Sequence, residues 1–212
     1  AHGSTPWAGI DPIMATAELI ESLNSIVSRR INIINNPAVI SVGIVKAGTR
    51  NNIIPEDAEI MGTIRTFDPE LRKEIYSEIE QVAKGVALGT DTDITVEFDV
   101  GGFYPVTFNQ PDLVEAMKGS LIKASPGRFY ESNIPVTGAE DFSYFSQEIP
   151  GMYFWLGINK PGEGEESSNF GERTDVAGNH SPYFYVDDSA LDEGVRAFIH
   201  LVNDYPNKIN SL

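Results

Sequence analysis

Few residues in this chain are suited to chemistry. With no cysteine, thiolate nucleophiles, thiolate zinc sites and disulfides are excluded from these 212 residues. Three histidines remain. His2 stands in "AHGSTPWAGIDP", as either a frayed terminal histidine or part of a motif that begins before it. His180 follows a polar stretch and precedes "SPYF", a loop-to-structure junction of the kind where sites concentrate, and it reads as a loop histidine or a site residue. His200, one turn after Arg196, reads as a solvated surface histidine. Arg65, in "TIRTF", alternates away from Ile60 and Ile64. It is either a solvated arginine or a planar fork for a substrate carboxylate. Turn chemistry accounts for Asn51 and Asn52. Thr137 and Gly138 precede a helix start bearing Glu140 and Asp141, whose charge suits a helix N-terminus, so capping is their first reading.

The elements that must position these residues can be read from periodicity. Residues 11–34 predict a helix, started by Asp11-Pro12, with Ile13, Ala17, Ile20, Leu23, Val27 and Ile31 as its stripe. "AVISVGIV" alternates as a strand, Ile40, Val42 and Ile44 sharing a face. "AEIMGTIRTF" is a second strand, and Asp68-Pro69 starts a second helix with stripe Leu71, Ile75, Ile79, Val82 and Val86. "DITVEF" alternates as a third strand. One strand added in front turns this order into β-α-β-β-α-β, the ferredoxin-like split unit, and the added strand would end at "AHGS". "GGFYPVTFNQP" has linker composition. Beyond it come a helix over 111–125, a possible short strand in "RFYESNIPVT", a short helix in "GAEDFSYFSQEI" and a strand in "GMYFWLGI" of the kind buried on both faces. An aperiodic polar segment over 159–179 then leads to a last helix, 187–204, with stripe Leu191, Val195, Phe198, Ile199 and Val202. The fold class is α/β: residues 1–105 form one domain and 106–212 a fragment of an α/β layer.

Bulk properties bound the function. A net charge of −16 repels nucleic acid and anionic lipid, so neither is an expected partner. No apolar run reaches membrane-spanning length. The absence of cysteine leaves the compartment open.

Taken in order, "AHGSTPWAGIDPI", "NNIIPEDAEIMGTIRTFD", "VTGAEDFSYF" and "NHSPYFYVDD" resemble the two-zinc metallopeptidase family of aminoacylases and carboxypeptidases, family twenty in the peptidase classification. "IPEDAEIMGTIRTFD" and "GAEDFSYF" are most similar to its amidohydrolase branch, which includes hippurate hydrolase and N-acyl-amino-acid amidohydrolases. The resemblance implies a ferredoxin-like lid, which also makes a homodimer, up to about residue 105. The C-terminal part of a catalytic domain follows, and the first part of that domain would precede this chain.

The resemblance also implies roles. His2 would reach the neighbouring subunit's site and stabilise the oxyanion. Asn52 would hydrogen-bond substrate, Arg65 would grip its carboxylate, Gly138 would line the pocket, and His180 would be the last metal ligand. The implied cofactors are two divalent metal ions, zinc first with nickel, manganese or cobalt as alternatives, clamping a water between them. The substrate would be an N-acyl amino acid or small peptide. Only one ligand and no general base are recognisable, so the chain alone would be inactive. The competing expectation is a non-catalytic homologue serving as a dimerisation or ligand-binding module.

Overall fold

The computed structural model describes residues 1–34, 36–132, 134–158 and 177–209. It divides into two compact units, Ala1–Val106 with Thr137–Ala139, and Thr107–Val136 with Glu140–Leu212.

The first unit is built on two helices and a hairpin. Helix α1 spans Pro12–Arg29, with Asp11 as N-cap accepting from the Ile13 N–H at 2.9 Å. Its buried positions are Ala15, Leu19, Leu23 and Ile26, while Ile13 and Ala17 are exposed, so the buried face is rotated from the expected stripe. The helix also stops five residues short of 34. The Arg30 and Ile31 N–H groups both turn to the Ile26 carbonyl, and Asn32 takes the Ile34 N–H on its side chain, giving the backbone a local partner instead of another turn. Helix α2, Pro69–Thr90, follows its expected stripe. Its N-cap Asp68 accepts from the Glu70 and Leu71 N–H groups.

Strands β1 (Ala38–Ala47) and β2 (Ala58–Thr66) pair antiparallel, from Ala38 opposite Thr66 to Ala47 opposite Ala58. A bulge between Val42 and Ile44 breaks the expected alternation. Ile40 and Val42 pack on the core with Ile60 and Ile64, whereas Ile44 moves opposite Met61 and is exposed. Gly62 is required here, because a Cβ at that position would run into the Ser41 carbonyl oxygen. Both helices bury their stripes with one face of this hairpin.

The third strand expected at 93–98 is absent as a strand. Ile94, Val96 and Phe98 still alternate inward onto the core, and Phe98 stacks on Tyr76 with centroids 4.0 Å apart. The segment has no ladder among the described residues. Side-chain period is satisfied by the helices beneath, but a sheet also needs a backbone neighbour. The ordered elements of this unit are therefore α-β-β-α, with an extended final segment.

In the second unit, α3 (Pro111–Ala124) packs on α5 (Asp188–Ile209), and α4 (Phe142–Glu148) is the expected short helix. No strand forms among its described residues, neither at 128–137 nor at 151–158. The 151–158 run is extended and held by an amide acting as a surrogate strand neighbour. Asn109 Oδ1 accepts from the Tyr153 N–H at 2.7 Å, and its Nδ2 donates to the Tyr153 carbonyl at 2.8 Å. Trp155 and Leu156 are exposed, so the run is not buried on both faces.

Helix α5 turns a polar face to α3. Ser120, fully buried, donates to Asp204 at 2.7 Å, Lys123 pairs with Asp204 at 2.9 Å, and Glu193 receives Ser125 and Arg128. His200 is half-buried rather than solvated. The expected apolar stripe of this helix is exposed: only Ala197 is buried, and Val202 is 70% exposed. The polar segment at 159–179 lies, through residue 176, outside the described residues.

Candidate active site

The first unit pairs the segment that carries His2 with the segment that carries Asn52. Ala1–Gly3 runs antiparallel to Asn52–Ile54, with His2 and Ile53 bridged, Gly3 N–H donating to the Asn52 carbonyl at 2.8 Å and Ile54 N–H to the Ala1 carbonyl at 2.9 Å. Gly3 suits this contact, since a Cβ there would sit 3.2 Å from the Asn52 carbonyl oxygen. The chain then turns, with the Thr5 N–H on the His2 carbonyl at 2.9 Å. His2 is exposed. Its Nδ1 accepts from the Ser4 N–H at 3.1 Å and lies 2.8 Å from Ser4 Oγ. Ser4 escaped the reading of the sequence. Its two-residue spacing from a histidine was the available signal.

Arg65 is not part of this corner. It lies opposite Val39 at the open end of the hairpin, whereas Asn52 belongs to the connection at the closed end. Seven residues of β2 separate Arg65 from Ala58, about 23 Å of strand. It stands on the sheet face opposite Ile64, as its alternation predicts. Its side chain makes no hydrogen bond or ion pair among the described residues. Gly138 groups with the first unit.

In the second unit His180 sits in a tight turn, with Ser181 N–H on the Gly178 carbonyl at 3.2 Å, and is exposed. Its φ of 70° is left-handed, a conformation that side-chain-bearing residues seldom adopt. Such strain, where it occurs, clusters at functional sites.

The capping reading holds for Glu140, whose Oε1 accepts from the Phe142 N–H at 3.5 Å at the start of α4, and fails for Asp141. Asp141 occupies the N-cap of α4 but makes no side-chain cap bond. The other oxygen of Glu140 accepts from the Tyr153 hydroxyl at 2.8 Å. That bond, and then the neighbouring Asp141, keep Glu140 below the usual carboxylate range. Hydrogen bonding to Glu140 and its charge raise Asp141, while burial and then Glu140 raise the Tyr153 phenol. This tyrosine–carboxylate contact ties the start of α4 to the 151–158 run.

Among the described residues no three histidine or acidic side chains gather to hold a metal ion. His180 can supply one ligand to a centre but cannot make one.

Residues 9–204 match the model of peptidase family M20/M25/M40. Thermostable carboxypeptidase 2 of Saccharolobus solfataricus is 35% identical over 98% of this chain and 49% of its own length. N-acetyldiaminopimelate deacetylase of Leuconostoc mesenteroides is 34% identical over 92% of this chain and 46% of its own. The crystal structure of the Bacillus subtilis YXEP protein, a dinuclear metal binding peptidase from the M20 family, superimposes with a TM-score of 0.64 at 28% identity, covering 91% of this chain and 45% of that one. The chain thus spans about half the length of the relatives it matches. It belongs to peptidase family M20/M25/M40.

Proposed function

We propose that the protein carrying this chain hydrolyses an amide bond in an N-acyl amino acid or small peptide, as a homodimer using two divalent metal ions, with zinc the first expectation. The observation that carries this is the His2–Asn52 corner. The segment around His2 pairs with the segment around Asn52, His2 opposite Ile53 and Gly3 on the Asn52 carbonyl, and the histidine's Nε2 has no partner among the described residues. Nε2–H is then available to a carbonyl oxygen as it gains charge, and Asn52, in the paired segment, is assigned a hydrogen bond to the substrate. A single donor of this kind contributes about 3 kcal/mol to a transition state.

Family membership supports the reaction class. The relatives include a carboxypeptidase and a deacetylase, both of which cleave amide bonds, and a metal-binding peptidase. Arg65 is assigned the substrate carboxylate and Gly138 the pocket wall. The length of β2 between Arg65 and the His2–Asn52 corner exceeds one small substrate. That separation supports a dimer in which a site takes Arg65 from one protomer and His2 with Asn52 from the other. The first unit is proposed as the ferredoxin-like lid, its 93–98 segment, packed on the core without a ladder, being a strand that lacks its neighbour. The second is proposed as part of a catalytic domain, a reading supported by the exposed stripe of α5. His180 is assigned as one metal ligand. The other ligands and the general base are not recognised among the described residues.

The test is hydrolysis of N-acetyl amino acids by the metal-loaded whole protein, compared with His2→Ala. The variant should lose 100-fold or more in kcat, on the order of the loss of one oxyanion donor, with KM and metal content little changed. A wild-type protein that dimerises yet neither binds metal nor turns over substrate would replace this reading with the dimerisation or ligand-binding module.

A further inference from the structure

We infer that Ser4 is a positioning residue that sets the ring tautomer of His2, so that the proton sits on Nε2. The inference rests on the oxyanion role proposed for His2 and deepens it. A neutral imidazole carries one N–H and one lone pair, and which nitrogen has which decides whether the outward-facing atom donates or accepts. A backbone N–H can only donate. The Ser4 N–H lies 3.1 Å from His2 Nδ1, so Nδ1 must present its lone pair there and the proton belongs on Nε2. Ser4 Oγ, 2.8 Å from the same nitrogen, places a second potential donor on it.

The surrounding backbone makes this arrangement specific. Gly3 is held on the Asn52 carbonyl, and the Thr5 N–H and hydroxyl both bond the His2 carbonyl, at 2.9 and 3.3 Å. Residues 2 to 5 therefore form a closed turn that returns the Ser4 N–H and hydroxyl to the ring. A donor preset in this way needs no tautomer exchange when charge develops on a substrate oxygen, which is what a preorganised oxyanion contact requires. Ser4 touches no substrate in this account and acts only through His2. Its hydroxyl is the adjustable part, because any residue but proline retains the N–H.

The experiment uses the whole protein labelled with ¹⁵N-histidine, at a pH where the ring is neutral. Long-range ¹H–¹⁵N correlation identifies each ring's tautomer, and the His2 signals are those missing from His2→Ala. His2 should show a protonated Nε2 and an unprotonated Nδ1. In Ser4→Ala the Nδ1–H form should rise, and kcat should fall about tenfold with KM unchanged, the effect of one ordinary hydrogen bond. Ser4→Thr should restore both. In a His2→Ala background, Ser4→Ala should have no further effect on kcat. A His2 ring carrying its proton on Nδ1 overturns the inference, and a tautomer ratio unmoved by Ser4→Ala overturns the part of the Ser4 hydroxyl, even where His2→Ala is inactive. If the Nε2–H tautomer depends on Ser4 but His2→Ala keeps full turnover, the oxyanion reading falls and the tautomer assignment stands.

Discussion

The two long helices of this chain differ in what covers them. Helix α2 carries Leu71, Ile75, Ile79, Val82 and Val86 at helical spacing, and all five are buried against α1 and the hairpin. Helix α5 carries Leu191, Val195, Phe198, Ile199 and Val202 at the same spacing, and all five are exposed. It meets α3 instead through Asp204, Glu193 and the small Ala197. Apolar periodicity thus establishes that a helix has a face to bury, but not that the burying partner lies among the same residues. The first unit satisfies its helices internally. The second holds its helix pair by a polar latch beside a small apolar cluster of Leu121, Ala124, Ala197 and Leu201, and leaves most of the α5 stripe exposed.

The strongest challenge to this contrast is a pair of core and stripe substitutions in the 212-residue chain. Ile75→Ala removes a side chain with no exposed surface and should destabilise the first unit by about 2–5 kcal/mol. Val202→Asp, at a position 70% exposed, should change the second unit by no more than about 0.5 kcal/mol. Amide hydrogen exchange in α2 and α5 reads the two units separately. A Val202→Asp loss as large as that of Ile75→Ala would mean that the α5 stripe is covered in solution.

A smaller effect sharpens the polar side of the contrast. Hydrogen bonding to Lys123 first, and then to Ser120, holds Asp204 below the ordinary carboxylate range. A carboxyl depressed in the folded state contributes stability that is present above its unfolded pKa and is lost as pH falls through the folded value. Acidification below about pH 4, the unfolded value for aspartate, should therefore loosen α3 from α5. In Asp204→Asn this part of the acid sensitivity should disappear, leaving a flatter profile of α5 exchange protection against pH. An unchanged profile would remove the latch from the account of how this unit holds together.

How far the sequence could be read follows the same division between local and distant causes. The Asp-Pro helix starts, the α2 stripe and the two hairpin strands depend on neighbours a few residues away, and they were legible. The bulge at Gly43 was not, because it is a matter of register between two strands, shifted between Val42 and Ile44 across the ladder. The 93–98 and 151–158 runs show strand-like composition but lack ladders, since strand formation depends on a neighbour that composition does not reveal. In the candidate site, the meeting of His2 with Asn52 spans fifty residues, and only the resemblance to a known family suggested that the two belong together. The Ser4 contact was within local reach and was missed. Asp141 has the composition of a cap, but its side chain leaves the cap N–H groups alone.

The smallest expected effect concerns His180, where the two units differ again. His2 is fixed by hydrogen bonds in a closed turn, whereas His180 holds a left-handed φ of 70° in an exposed one. Glycine adopts that φ without a Cβ penalty, but it loses more backbone freedom on folding. The two contributions oppose each other, so His180→Gly should leave the stability of the chain within about 1 kcal/mol of wild type. At an ordinary helical or extended position the same change destabilises. If His180 is a metal ligand, the whole protein bearing His180→Gly should nonetheless lose metal from one of its two sites, as measured by elemental analysis after gel filtration, and lose turnover with it. Unchanged stability with reduced metal content would mean that a histidine is kept at a position where glycine folds equally well, and that its imidazole serves the metal. Full metal occupancy in the glycine variant would remove His180 from the ligand set.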